Sequence, residues 1–130
     1  MNAFKKELRG KVKELGDLIK IGDTKHVKQW FYRDDDEGIF DILVHDIKTA
    51  SGETIAIDTG LSAEGWKIEV INRNGDKTKV KTVLRKLDIP IEQEKEDRVQ
   101  CKHFGYDEPL GEVQESLQMI LDKLAKALLA

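Results

Sequence analysis

Residues 39–47 read Ile-Phe-Asp-Ile-Leu-Val-His-Asp-Ile, and this segment limits the fold more than any other. Side chains alternate across a strand, so Phe40, Ile42 and Val44 point to one face and Ile39, Leu43 and Ile47 to the other. A strand in a sheet with one wet side alternates apolar with polar residues, whereas this one is apolar on both sides. The sheet that contains it must therefore be covered twice. Either the first and last helices lie on opposite faces, or one face is closed by another chain.

The surrounding pattern supplies the rest of the sheet. Residues 26–33 hold Val27, Trp30, Phe31 and Tyr32, and the following Asp34, Asp35, Asp36, Glu37 and Gly38 form a solvated turn. Ser51-Gly52 reads as a tight connection into a third strand over residues 53–59, with Thr54, Ile55, Ala56 and Ile57. In residues 66–72, Trp66, Ile68 and Val70 share one face while Lys67 and Glu69, and Arg73 just beyond, face water. A charged connection, residues 92–97, leads to a last strand at 98–104.

Three segments carry helical spacing. Phe4, Leu8, Val12, Leu15 and Ile19 fall three or four apart over residues 2–20, with Asn2 as N-cap and Gly22 as stop. Residues 77–87 allow two readings. Asn74-Gly75 and the alternation of Thr78, Val80 and Thr82 suit a hairpin strand, but Val80, Val83, Leu84 and Leu87 make a helical stripe that Asp88-Ile89-Pro90 ends; a helix is expected. Leu110, Val113, Leu117, Ile120, Leu121, Leu124 and Leu128 then line one face of a long C-terminal helix that starts near Pro109, capped by Asp107 or Glu108. Part of this stripe has a heptad-like spacing, over only about two repeats. The expected fold is α+β: a mostly antiparallel sheet of four to five strands with an N-terminal helix, a short middle helix and a long C-terminal helix, in a single domain spanning residues 1–130.

Composition bounds the class. Apolar residues make up 39% and charged residues 36% of the 130, enough for a core beneath a densely charged surface. No apolar run approaches the roughly 20 residues of a membrane span, and the lysine-rich start lacks the apolar stretch of a secretory signal. Cys101 is the one cysteine, so an internal disulfide is excluded. A cytoplasmic protein with no membrane association is expected. The net charge of −3 disfavours a dedicated nucleic-acid binder, although residues 67–86 hold seven cations against two acids.

Two acidic residues stand in strand contexts. Asp41 lies within the doubly apolar strand, and Asp58 follows Ile55-Ala56-Ile57. Carboxylates on neighbouring strands can converge on a divalent cation that activates water. This pairing, with the helix, strands, helix, strand order over residues 2–104, resembles the PD-(D/E)xK nuclease superfamily. The resemblance implies Asp41 and Asp58 as metal ligands and catalytic residues, with Glu69 as a third ligand. Gly60 stands where the family has its lysine, so Lys67 on the next strand would have to supply that charge.

Other groupings are weaker. Cys101 and His103, two apart and so on one face of a strand, could pair with His45 or Asp46 as a zinc site, but one cysteine falls short of a structural zinc set and a buried thiol is expected. No phosphate-binding glycine fingerprint and no nucleophile elbow occurs. Candidate binding residues are therefore of two kinds: Trp30 and Tyr32 beside Asp34, Asp35 and Asp36, which suit a basic partner, and the cations Arg73, Lys77, Lys79, Lys81 and Arg85, which suit an acidic one. The function expected is that of a non-catalytic interaction protein binding another macromolecule, with a protein as the expected partner, or a second copy of itself, without a cofactor or metal. It matches immunity proteins and secretion chaperones by size and charge alone. A degenerate metal-dependent nuclease and a nucleic-acid-binding protein are the alternatives.

Overall fold

The structure is a computed structural model and describes residues 3–36 and 38–130. The elements run α1 (Ala3–Leu18), β1 (Val27–Asp34), β2 (Phe40–Lys48), β3 (Thr54–Ser62), β4 (Gly65–Asn72), α2 (Lys77–Lys86), β5 (Gln93–Glu94), β6 (Arg98–Phe104) and α3 (Leu110–Leu128). All strands join one antiparallel sheet in the order β1-β2-β3-β4-β6-β5. The architecture is α+β as expected, with six strands in place of four to five. The extra strand is β5, two exposed residues in the charged connection, paired with Gln100 and Val99 of β6. It buries nothing, so hydrophobic patterning has no means of marking it.

Residues 77–86 are helical. Asn74 and Gly75, the latter at φ +90°, make the turn, and the Asp76 carboxylate accepts the Lys79 backbone N–H at the helix start. At the head of α3 the N-cap is Pro109 with no side-chain cap, so neither Asp107 nor Glu108 caps it. The proposed Asn2 cap of α1 lies outside the described residues. The helix ends at Leu18, short of Gly22, and Gly16 within it packs where a Cβ would sit 2.8 Å from the Phe31 ring. Close approach of α1 to β1 requires glycine there.

The three helices lie on one face of the sheet. Leu8, Val12 and Leu15 of α1, Val80 and Leu84 of α2, and Val113, Leu117, Ile120, Leu121 and Leu124 of α3 share a single buried cluster with Leu43, Ile47, Ile57, Trp66, Ile68 and Val70. Helix α3 touches both others: Gln114 and Gln118 bond the end of α1 and Lys20, and Lys123 Nζ donates to the Leu87 carbonyl. Its heptad-like leucines are thereby spent on the sheet, leaving no coiled-coil seam.

Of the two ways of covering this sheet, the first, helices on opposite faces, is not met. On the helix-free face Ile42, Val44, Ala56 and Ile71 form a second, small cluster, roofed by Tyr32 and Phe40. Ile42 and Ile71 remain only 8% and 9% exposed. A strand apolar on both sides is thus accommodated without a second layer of helices, because long aromatic side chains of the sheet fold over its short aliphatic ones.

Candidate binding groove on the open face

The register decides which candidates meet. Asp41 pairs with Leu61 and points to the helix side, while Asp58 pairs with Val44 and with Glu69 and points to the open side. The two aspartates implied by the nuclease resemblance therefore stand on opposite faces. Asp41 is fully buried under α1, where Arg9 Nη2 lies 2.7 Å from Oδ1 and Arg33 Nη2 lies 2.5 Å from Oδ2. The same Arg33 nitrogen donates to the Lys5 carbonyl at 2.9 Å, so this triad clamps α1 onto β1 and β2. Held between two cations, the buried Asp41 carboxylate has its charge compensated on the helix side, away from Asp58.

Asp58 and Glu69 do come together, directly opposite each other across β3 and β4. Like charges in that position repel, and the sheet answers with cations. Arg98 Nη1 donates to Asp58 Oδ2 at 3.1 Å and lies 3.6 Å from Glu69 Oε1, and Lys95 pairs with Glu69 Oε2. Arg98 is also drawn to Asp97, 3.1 Å from its Nε. Among the described residues, no third His, Cys, Asp or Glu joins these two carboxylates as a metal-binding group.

These residues line a groove of about 430 Å³ on the open face. Tyr32, Phe40 and Ile42 supply its apolar wall and Gly60 part of its floor. Its charged lining is six carboxylates, from Asp34, Asp36, Asp58, Glu69, Glu96 and Asp97, against three cations, from Lys67, Lys95 and Arg98. Asp58 is the most deeply placed, 2% exposed, and its Oδ1 has no hydrogen-bond partner. Burial pushes its carboxyl above the ordinary range, opposed by the charges of Arg98 and Arg73. Burial, followed by the charge of Asp58, likewise raises the Tyr32 phenol.

Beside the groove, Trp30 stacks on Tyr32 with ring centroids 5.3 Å apart, and its Nε1 donates to Asp46 Oδ2 at 2.7 Å. Trp30 is 41% exposed, one of three large apolar side chains left so open among the described residues. Asp35 is exposed on the same turn, and Asp36 N–H donates to Asp34 Oδ1. Glu37 lies outside the described residues.

The cationic candidates are mostly neutralised. Arg73 pairs with Asp46 at 3.1 Å, Lys77 and Lys81 pair with Glu94 at 3.0 and 3.2 Å, and Lys79 pairs with Glu53. Arg85, in the last turn of α2, faces solvent. Asp46 of β2, Glu94 of β5 and Glu53 before β3 thus offset four of these five cations, which leaves no continuous basic face.

Cys101 and His103 do not share a face. A bulge opposite Ile68 and Glu69 shifts the register, sending Cys101 into the helix-side core and pairing His103 with Lys67. His103 is exposed and bonds Glu92 at 2.7 Å, and the Cys101 thiol is pushed up to about 12, chiefly by burial. His45 is buried under the helices and Asp46 lies across the sheet from it, so the zinc grouping does not assemble.

Sequence reasoning missed Arg98, Lys95, Phe40 and Gly60 as groove residues. Only the cross-strand register could have revealed them, since β6 joins β4 across the intervening α2 and β5. Comparison with protein-family models, with curated proteins and with solved structures finds no match for this chain. No helix of the described residues is long and apolar enough to cross a membrane.

Proposed function

We propose that this chain is a non-catalytic interaction protein that binds another protein across the open face of its sheet. The observation that carries this is the helix-free face itself, where a groove of about 430 Å³ adjoins the exposed Trp30, stacked on the half-buried Tyr32. Aromatic rings beside a concavity with charged borders are the usual anchors of a protein interface. The separation of Asp41 from Asp58 by the thickness of the sheet counts against the metal-dependent nuclease, and the pairing of Arg73, Lys77, Lys79 and Lys81 counts against a nucleic-acid grip.

Site-specific photocrosslinking tests the proposal. A benzophenone side chain replaces Trp30 on the open face, or Glu14 on the outer side of α1, in the full chain expressed in its native host. One adduct of defined mass is expected from position 30 and none from position 14. Equal adducts at both positions, or magnesium-dependent cleavage of DNA or RNA that Asp58→Ala abolishes, would overturn it. An adduct of twice the chain mass identifies the partner as a second copy.

A further inference from the structure

Within that docking face, the groove over Asp58 has features that the fold does not require. The first is Gly60, in the interior of β3 and near the middle of the sheet. Glycine weakens a strand interior, commonly by about 0.5–1 kcal/mol, and its presence there often marks a close approach by something else. A Cβ at this position would meet Ile42 Cγ1 and Phe40 Cδ1 at 3.6 Å, ordinary van der Waals contact, and the backbone is not in the left-handed region. Nothing within the chain excludes a side chain from the position. What the glycine preserves is an open floor.

The second is the unequal treatment of Asp58. Its Oδ2 receives one bond from Arg98, a cation that also serves Glu69 and Asp97, while Oδ1 is buried and receives none. A buried carboxylate oxygen without a donor is unfavourable and demands a reason. The third is charge. Carboxylates outnumber cations six to three around the groove, and Asp34, Asp36 and Glu96 enter no ion pair among the described residues. The fourth is the Phe40 ring, which already accepts a cation on its face, with Lys67 Nζ 5.8 Å from its centroid.

We propose that this groove is the anchor pocket for an arginine side chain on an extended segment of the partner protein, its guanidinium pairing with the Asp58 carboxylate and lying against Tyr32 and Phe40. A guanidinium fits better than an ammonium because it is planar, stacks on aromatic rings and presents several N–H donors in a fixed fork. The carboxylates of Asp34 and Asp36 at the rim, in no ion pair among the described residues, suit further basic residues on the same segment. This assignment rests on the docking of a partner protein on the open face.

The test titrates the full-length, ¹⁵N-labelled protein with the peptide acetyl-Gly-Arg-Val-Arg-Gly-amide, with its lysine and citrulline counterparts, and with spermidine and MgCl₂. The arginine peptide is expected to shift the amide resonances of Tyr32, Gly60, Glu69 and Arg98, the citrulline peptide to shift none, and the lysine peptide to bind several-fold more weakly. Asp58→Asn should weaken the arginine peptide about tenfold or more. Gly60→Leu fills the floor without altering charge and should do the same, which keeps the test sound if either variant is misfolded; native dispersion of the other resonances verifies folding. Unchanged affinity in both folded variants, shifts confined to another surface, or spermidine or Mg²⁺ binding as tightly as the peptide would each overturn the assignment. If the position 30 crosslink survives in Asp58→Asn at full yield, the docking face stands and the arginine anchor alone falls.

Discussion

His45 is the group whose protonation should govern the acid stability of this protein. It is fully buried on the helix side of β2, its Nε2 lies 2.8 Å from Gln29 Oε1, and Nδ1 has no partner. Protonation would place a second N–H, and a charge, where no acceptor waits. Burial accordingly lowers its pKa from 6.5 to about 4, with only a small opposing pull from Asp46. Because the folded value is depressed, the unfolded chain takes up the proton first as pH falls. Stability is then intact above about pH 6.5 and declines as pH drops toward 4. Linkage between these two values gives a loss of about 2 kcal/mol from pH 7.5 to pH 5, a large part of the total stability of a small domain. Urea unfolding followed by tryptophan fluorescence at the two pH values measures it, as a midpoint shift of roughly 1 M for a slope typical of this size. His45→Gln can still bond Gln29 but cannot titrate, so its loss over the same interval should be smaller by about 2 kcal/mol. If the wild type and His45→Gln lose equal stability between pH 7.5 and pH 5, the burial argument is wrong.

Three further outcomes are expected. Asp41→Ala leaves Arg9 and Arg33 facing each other without their shared counter-ion and should destabilise by about 3 kcal/mol in urea, since Arg33 is only 15% exposed; a change under 1 kcal/mol would contradict the clamp assigned to this triad. Gly65→Ala places a Cβ 2.2 Å from the Phe104 carbonyl oxygen at φ +116°, and should cost about 3 kcal/mol, read as a lowered thermal midpoint; Gly75→Ala, at φ +90° with open space around it, should cost only about 1. Cys101, 2% exposed and with its thiol pushed up to about 12, should resist iodoacetamide at pH 8 in the native protein and label promptly in 6 M urea; rapid native labelling would show that the helix-side core around β6 opens readily.

The elements were largely legible because their signals are local. Leu110 through Leu128 repeat at helical spacing, and residues 98–102 alternate polar with apolar side chains, so helix α3 and strand β6 coincide with the expectations within a residue or so. Parity within a strand was equally readable: Trp66, Ile68 and Val70 do face the core, and Lys67 and Glu69 the open side. The failures share one cause. Whether Asp41 meets Asp58 depends on which residues of β2 and β3 lie opposite, and a shift of one residue exchanges the faces. The same dependence hid the bulge that parts Cys101 from His103.

By itself the sequence determined that this chain builds an antiparallel sheet with three helices, that β2 is apolar on both sides, and that no complete reactive set lies along any one element, because side-chain periodicity and turn chemistry act over a few residues. Only the tertiary structure decided that all three helices crowd one face, that Tyr32 and Phe40 roof the other, and that Arg98, Lys95, Glu69 and Asp58 converge on a single groove. Those outcomes follow from packing and strand register between residues 40 positions apart, as Asp58 and Arg98 are, and no local pattern encodes them.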